Sequence, residues 1–212
     1  MNEYLKQLNT PNELNHEFFE NLREYAKENN VPIIEEDSLF LIQSILNMID
    51  AKNMLEIGTA IGYSALSFAC AKEDLHIDTI ERNTEMYKQA VNNVEKLNLK
   101  SRVNLIFSDA LEIDNTRLGK YDVIFIDAAK AQYQKFFDKY ISLLNENGIV
   151  LTDNIVFHGC VEEQENLSKN VRSMVKKINN YNHYLNTLED FNTYYIDSGD
   201  GLAITMRKRK CN

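Results

Sequence analysis

YDVIFI, at residues 121–126, is the clearest indication of the fold in this chain of 212 residues. Its residues are β-branched, aromatic or apolar almost throughout, which is typical of a strand buried on both faces of a parallel sheet. Short apolar runs on either side of it predict further strands at 54–57, 76–80, 103–107 and 148–152. Helical patterns separate these runs and lie at 64–72, 84–97 (with Thr84 as candidate N-cap), 132–144 and 171–185. Strands that alternate with helices predict right-handed crossovers and a doubly wound, mainly parallel α/β sheet.

Both ends of the chain extend this pattern. Apolar residues follow a helical spacing on both sides of Pro32, which predicts helices up to about residue 49. Near the C-terminus, two predicted strands at 193–196 and 202–206 flank DSGDG, a turn-rich spacer typical of an antiparallel hairpin. We therefore expect seven strands in a single domain spanning 1–212, with a helical extension at 1–50 and an α/β core at 51–212.

The composition is that of an ordinary globular protein, with 44% apolar and 26% charged residues. The chain has neither a long uncharged apolar run nor the apolar core of a signal peptide, so we expect a cytoplasmic protein without a membrane span. Its three cysteines form no CxxC pair, which argues against a disulfide scaffold or a cysteine zinc site. The net charge of −9 argues against broad non-specific binding of nucleic acid, although residues 207–210 are all basic.

A glycine-containing turn follows the first predicted strand. In a parallel sheet, ligands bind at the carboxyl ends of the strands, where EIGTAIGYS runs from Glu56 to Ser64. Gly58 and Gly62 allow a sharp turn and a close approach of the backbone to a ligand, and Ser64 lies near a helix N-terminus. Such a turn could also open a nicotinamide dinucleotide site, but the full GxGxxG pattern is absent.

Acidic residues follow the second and third predicted strands. Glu81 ends the strand IDTIE, a position from which a carboxylate typically accepts hydrogen bonds from ribose hydroxyls. Asp109 could hold an adenine amino group, and the small side chain of Ala110 leaves room for the ring. The structural alternatives are an exposed acid at the end of a strand for Glu81 and a helix N-cap for Asp109.

Oxygen-bearing side chains follow the fourth and fifth predicted strands. Asp127 ends FID, and Asp153 and Asn154 end LTDN. Because adjacent parallel strands end side by side, two carboxylates and an amide oxygen can converge into a set that suits Mg²⁺, and no histidine or cysteine accompanies them to favour zinc. Lys130 could act as general base for a substrate hydroxyl. The alternatives are simple strand-end caps and a solvated loop lysine.

The series LEIGTAIGYSA, TIERN, SDA, YDVIFIDAAKAQY and LTDNIVFHG resembles the cation-dependent O-methyltransferases of the catechol and caffeoyl-CoA type. The resemblance implies a Rossmann-like class I methyltransferase fold that uses S-adenosylmethionine and a divalent cation. It implies that Asp127, Asp153 and Asn154 bind the cation and that Lys130, with Asp127, is catalytic. The residues implied to bind the methyl donor are Ile34, Glu56, Gly58, Gly62, Ser64, Glu81, Asp109, Ala110 and Asp127.

Within this family the chain most resembles the bacterial tRNA 5-hydroxyuridine methyltransferases, in the stretches IERNTEMYKQAVNN, DAAKAQYQKFF, KINNYNHYL and GDGLAITMRKRK. That likeness implies methylation of wobble 5-hydroxyuridine to 5-methoxyuridine, and a homodimer. The loop IIEEDS after Pro32 departs from the family pattern, which leaves the contact at Ile34 open. The basic tail implied to contact tRNA phosphates consists of Arg207, Lys208, Arg209 and Lys210.

Three other functions stay open from the sequence. The same site could methylate a small catechol or hydroxycinnamoyl-type substrate. A nicotinamide-dependent oxidoreductase could use a similar sheet, although the missing third glycine and the set of oxygen ligands argue against it. A binding module that keeps the fold but transfers no methyl group is the third.

Overall fold

The computed structural model describes residues 4, 8–9, 15–157, 159, 161 and 168–209. Two helices, α1 (His16–Glu28) and α2 (Glu36–Met48), precede the sheet. The strands are β1 (Asn53–Ile57), β2 (His76–Glu81), β3 (Val103–Phe107), β4 (Tyr121–Ile126), β5 (Leu144–Asp153), β6 (Phe191–Ile196) and β7 (Leu202–Arg207). Between them lie α3 (Tyr63–Ala71), α4 (Thr84–Lys96), α5 (Tyr133–Tyr140) and α6 (Lys169–Thr187).

These strands form one seven-stranded sheet in the order β3-β2-β1-β4-β5-β7-β6. The first five are parallel, whereas β7 runs antiparallel to β5 and β6 antiparallel to β7. The predicted α/β fold with a C-terminal antiparallel hairpin is therefore confirmed. Strand order reverses between β1 and β4, which makes the carboxyl ends of these two strands the expected place for a ligand.

Two local predictions about helix ends are wrong. The helix predicted at 132–144 ends at Tyr140 and is followed by a 3-10 turn, because the chain leaves the helix early to begin β5 at Leu144 opposite Tyr121. The N-cap of α4 is Asn83 rather than Thr84, because the Asn83 side chain accepts hydrogen bonds from the backbone N–H groups of the first turn.

The central strand β4 explains why YDVIFI is so apolar. Its four residues 123–126 are each at most 1% exposed, which shows that both faces of the strand are covered. Val123 and Phe125 pack into the core beneath α1, α2 and α3, where Phe68 meets Phe125 edge to face. Ile124 and Ile126 pack into the second core, against the aromatic residues of α5 and α6.

Helix α2 is tied to the turn between β6 and β7. The Ser38 hydroxyl donates to the carbonyl oxygen of Ser198 at 3.0 Å. The same turn is held to the segment after β5, because the Ile155 N–H donates to the carbonyl oxygen of Gly201 at 3.2 Å. A Cβ added to Gly199 would lie 2.7 Å from the Ser38 hydroxyl, so the turn and the helix are in close contact.

Among the described helices, none combines the length and apolar character that a bilayer span requires. Cys70 is a free thiol, whereas Cys160 and Cys211 lie outside the described residues, as does Lys210. The division into a helical extension and an α/β core stays a prediction.

Candidate active site

A cavity of about 570 Å³ lies at the carboxyl ends of β1 to β5, where strand order reverses. The linker between α1 and α2 forms part of its wall, and Met174 of α6 forms another part. The predicted site residues that line it are Ile34, Gly58, Ser64, Glu81, Asp109, Ala110, Asp127, Lys130 and Asn154. Glu56, Gly62 and Asp153 are not part of the lining.

The glycine turn closes tightly against β4. Gly58 has a φ of +109°, and a Cβ at this position would overlap the carbonyl group of Asp127. The backbone N–H groups of Gly58 and Thr59 both donate to the carbonyl oxygen of Ile80 on β2. Gly62, with a φ of +86°, is the N-cap of α3. Glycine at these two positions allows the turn to lie across the ends of three strands.

Glu56 lies behind the turn, completely buried. Its carboxylate accepts a hydrogen bond from the Ser64 hydroxyl at 2.6 Å and another from the Thr79 hydroxyl. Burial raises the pKa of Glu56 to about 7, although both hydroxyl donors oppose the shift. In this structure Glu56 fixes the base of the turn, and its contact with a methyl donor stays a prediction.

Glu81 ties the end of β2 to the glycine turn. One carboxylate oxygen accepts from the Ala60 N–H at 2.9 Å, and the other accepts from the Asn83 N–H at 2.7 Å. The carboxylate is therefore held at the cavity wall by two backbone donors. Each oxygen keeps a further lone pair with which to accept a hydrogen bond from a ligand hydroxyl.

Asp109 is held in a similar way at the end of β3. Its carboxylate accepts from the Leu111 N–H at 2.9 Å and from the Arg82 guanidinium at 3.0 Å, and these two contacts keep its pKa below the usual range. The bond to Leu111 closes a turn and no helix begins here, so the alternative of a helix N-cap at Asp109 is wrong. Ala110 lies next to it on the cavity wall, almost fully buried.

Two carboxylates meet at the neighbouring ends of β4 and β5. Ile126 is in register with Thr152, so Asp127 and Asp153 follow these strands side by side. Burial raises the pKa of Asp127 and raises that of Asp153 to about 7, and the Asp127 charge adds to the shift at Asp153. Asn154 donates from Nδ2 to Asp153 Oδ2 at 2.7 Å, whereas the buried Oδ1 of Asp153 has no hydrogen-bond partner among the described residues.

This arrangement fits a hard divalent cation. Two buried carboxylates repel each other unless a positive charge lies between them, and an unpartnered buried oxygen is costly. Within the described residues no group of three or more His, Cys, Asp or Glu side chains is placed to hold a metal, so the donor set depends on the amide of Asn154 in addition to Asp127 and Asp153. Oxygen ligands of this kind suit Mg²⁺.

Lys130 lies beside the same carboxylates. Its Nζ donates to Oδ1 of Asn154 and lies 5.6 Å from the centre of the Phe157 ring. Burial lowers the pKa of Lys130, while the charges of Asp127 and Asp153 oppose that shift. A divalent cation that binds Asn154 Oδ1 would therefore either share this oxygen with Lys130 Nζ or displace Lys130 Nζ from it.

Sequence reasoning missed the residues that hold the site in place. Thr79, Ala60 and Asn83 fix Glu56 and Glu81, and the Tyr133 hydroxyl donates to the carbonyl oxygen of Asp153 at 2.9 Å. Asn83 could have been found, since it follows Glu81 at the start of a helical pattern. The backbone donor at Ala60 has no side-chain signal at all.

The family model "O-methyltransferase" matches residues 9–208 of the chain. The chain belongs to this O-methyltransferase family. Tapetum-specific methyltransferase 1 of Arabidopsis thaliana is 30% identical over 203 residues, which cover 91% of this chain and 87% of the relative. A caffeoyl-CoA O-methyltransferase of Populus kitakamiensis is 28% identical over 208 residues, with 91% and 87% covered.

Solved structures of methyltransferases share the fold. A Staphylococcus aureus protein provisionally named a caffeoyl-CoA O-methyltransferase is 42% identical and superposes with a TM-score of 0.91, covering 97% of this chain and 98% of the other. The SAH-bound methyltransferase PaMTH1 of Podospora anserina is 24% identical with a TM-score of 0.82, covering 91% and 87%, and this likeness concerns the fold alone.

The described residues of the basic tail, Arg207 to Arg209, lie at the other end of the sheet. Leu202 pairs with Asp153 at the cavity, and β7 then runs away from it to Arg207, about 17 Å further on at 3.3 Å per residue. The Arg207 guanidinium lies 5.0 Å from the Phe191 ring, and the Lys208 N–H donates to Asp190. The predicted contact of this tail with tRNA stays a prediction, as does the homodimer.

Proposed function

We propose that the chain is an S-adenosylmethionine-dependent O-methyltransferase assisted by a divalent cation, most simply Mg²⁺. The observation that carries this proposal is that one cavity is lined both by the glycine turn with Glu81 and Asp109 and by Asp127, Lys130 and Asn154. A donor with a ribose and an adenine can occupy the first part, with its methyl group directed toward the second.

The donor side has the groups that a nucleoside requires. Glu81 can accept hydrogen bonds from ribose hydroxyls through the lone pairs that the backbone leaves unused. Asp109 can accept a hydrogen bond from an adenine amino group, and Ala110 leaves space beside it. Relatives of the same fold from Podospora anserina and Bacillus cereus were solved with SAH, which supports this choice of ligand.

The acceptor side has the groups that O-methylation requires. Asp127, Asp153 and Asn154 would hold the cation, which as a Lewis acid makes a bound hydroxyl more acidic. Lys130 is placed to accept the hydroxyl proton at Nζ, a role that its lowered pKa favours. The acceptor oxygen then forms a bond to the methyl carbon as the bond between that carbon and sulfur breaks, and the cavity keeps the three atoms in line.

The acceptor that we propose is the 5-hydroxyl of wobble uridine in tRNA. This hydroxyl and the adjacent 4-oxo group are vicinal oxygens, as in a catechol, and can chelate one cation. The likeness of stretches such as IERNTEMYKQAVNN and GDGLAITMRKRK to the tRNA 5-hydroxyuridine methyltransferases supports this substrate. The second candidate is a small vicinal diol, and the caffeoyl-CoA and flavonoid methyltransferases among the relatives support it.

Methyl transfer from labelled S-adenosylmethionine tests the proposal. We expect transfer to tRNA that contains 5-hydroxyuridine, loss of transfer with EDTA, and recovery with Mg²⁺. Transfer to catechol or caffeoyl-CoA with no transfer to tRNA would select the second candidate. The absence of transfer to any of these acceptors in Mg²⁺ would refute the O-methyltransferase proposal.

A further inference from the structure

Helix α6, which contributes Met174 to the cavity wall, carries a row of positive charge on its exposed face. Its sequence KNVRSMVKKINNYNHYLNT contains four cations and no carboxylate, in a chain whose net charge is −9. Lys169, Arg172 and Lys176 follow the spacing i, i+3, i+7 and so lie on one face, with Lys177 next to them. We call these four residues the α6 basic row.

The α6 basic row faces solvent. Its four side chains are exposed, whereas Val175, Ile178, Tyr181 and Leu185 form the buried face of the helix. Within residues 15–157 and 168–209, none of the four forms a salt bridge with a carboxylate. The packing of α6 against the sheet therefore does not explain the charge.

The position of the row within the helix also argues for a role in binding. Lys169 and Arg172 occupy the first turn, where the helix macrodipole disfavours cations. Met174 is the residue of α6 that lines the cavity. At about 100° per residue, Lys177 leaves the helix about 60° from Met174, whereas Lys169, Arg172 and Lys176 lie on the outer face, about 140° to 160° away. Along the helix axis all four cations lie within about 8 Å of Met174, so an RNA that enters the cavity would meet them across the outer side of the helix.

We propose that the α6 basic row binds the phosphodiester backbone of an RNA whose nucleotide enters the cavity. The row from Lys169 to Lys177 is about 12 Å long at 1.5 Å per residue, and it continues with the polar residues Asn180 and His183. A linear row of this length fits successive phosphates better than it fits one compact anion. The inference rests on the proposed RNA substrate and names the surface that holds it.

Two alternative roles of the row predict different results. The row could bind the phosphates of coenzyme A in a small thioester substrate. It could also pair with Glu162, Glu163 and Glu165, which precede α6 in the sequence and lie outside the described residues. In that second case the row stabilises the protein, and its removal leaves RNA binding unchanged.

Binding of fluorescent unfractionated tRNA, followed by anisotropy between 50 and 200 mM KCl, is the test. We expect Arg172→Gln/Lys176→Gln to weaken binding and to make the slope of log K against log[KCl] shallower by about 1.4 to 1.8, because each phosphate contact contributes about 0.7 to 0.9. The control is Lys96→Gln/Lys100→Gln, which removes the same charge from exposed positions at the end of α4 and in the turn after it, where Lys100 pairs with Glu95 at 2.6 Å. We expect the control to bind like the wild type.

Several results would overturn the inference. The first is a wild type that binds no tRNA at 50 mM KCl, and the second is an equal salt slope of log K for the two double variants. The third is displacement of tRNA by stoichiometric coenzyme A. The fourth is a salt slope that changes only in Lys208→Gln/Arg209→Gln. Thermal unfolding identifies a variant that has merely lost stability. Methyl transfer to catechol is measured on the same samples. Loss of methyl transfer together with tRNA binding that still depends on the α6 basic row would contradict the proposed chemistry and leave the inference about the row standing.

Discussion

Glu56 makes the stability of the protein depend on pH. Its pKa is about 7 in the folded chain against 4.5 in the unfolded chain, so between these values the folded protein holds a proton that the unfolded chain has released. Stability due to this group is therefore present below pH 4.5 and falls as the pH rises toward 7. The loss amounts to about 3 kcal/mol for a shift of this size.

Substitution of Glu56 by Gln removes this dependence. At pH 8 we expect the free energy of unfolding of E56Q to approach or exceed that of the wild type. At pH 5, where Glu56 is largely protonated, we expect the free energy of unfolding of E56Q to be lower than that of the wild type. Urea unfolding at the two pH values measures the difference between the proteins, which cancels the contribution of other carboxylates. An unchanged difference at pH 5 and pH 8 would show that Glu56 is ionised throughout.

Asp153 separates metal binding from stability. We expect Asp153→Ala to lower metal-dependent turnover by roughly 100-fold or more, because a Lewis acid contributes several kcal/mol to such a reaction. The free energy of unfolding should change by no more than about 1 kcal/mol, since the substitution also relieves repulsion from Asp127. Calorimetric titration with Mg²⁺ or Mn²⁺ provides the direct measurement.

Asp190→Ala is the matched control for this substitution, because Asp190 is an exposed carboxylate at the opposite end of the sheet. It should retain both metal binding and turnover. Full turnover of Asp153→Ala in Mg²⁺ would contradict the cation site.

At the level of single residues, the sequence predicts side chains at strand ends but not their exact surroundings. Glu81, Asp109, Asp127 and Asn154 lie on one cavity wall because parallel strands end together, a rule that needs no coordinates. The buried position of Glu56 could not be predicted in this way. Its orientation depends on Thr79, its partner on the adjacent strand β2, and no spacing in the sequence connects the two residues.

Among the elements, α4 depends on a cap that also positions the site. Asn83 accepts from the N–H groups of Glu85 and Met86 at 2.9 and 3.1 Å, and its own N–H donates to Glu81. We expect Asn83→Ala to cost about 1 kcal/mol in the free energy of unfolding, measured by urea denaturation. Asn83→Asp keeps an acceptor at the helix N-terminus and should restore most of that stability, and its failure to do so would contradict the capping role.

Elements with a strong apolar pattern were predicted well, and elements whose ends depend on tertiary contacts were not. Strand β4 has its predicted bounds because burial on both faces favours apolar residues at every position except Asp122. Strand β5 begins four residues before its predicted start, since Leu144 pairs with Tyr121 before the register shifts. The residues between 145 and 147 are polar and carry no strand signal of their own.

For the whole molecule, binding of a donor analogue should raise stability by mass action. S-adenosylhomocysteine at 100 times its Kd is expected to add about 2.7 kcal/mol to the free energy of unfolding, because it binds only the folded cavity. Chemical denaturation with and without the ligand measures the change, and NAD at equal concentration is the comparison. Stabilisation by NAD but not by S-adenosylhomocysteine would favour the oxidoreductase alternative.

Gly58→Ala is a second check on the same ligand effect. Its added methyl group would overlap the carbonyl of Asp127, so the turn must move. We expect this variant to be less stable and to gain less from S-adenosylhomocysteine than the wild type.

The contact between Ser38 and Ser198 has a consequence for how the protein is made. Residues 30–34 form one wall of the cavity, and the hairpin that contacts α2 and pairs with Asp153 follows them by more than 150 residues. The ribosome must therefore synthesise this whole stretch before the cleft can close. Until the hairpin has been synthesised, one side of the cavity formed by the earlier strands stays open to water.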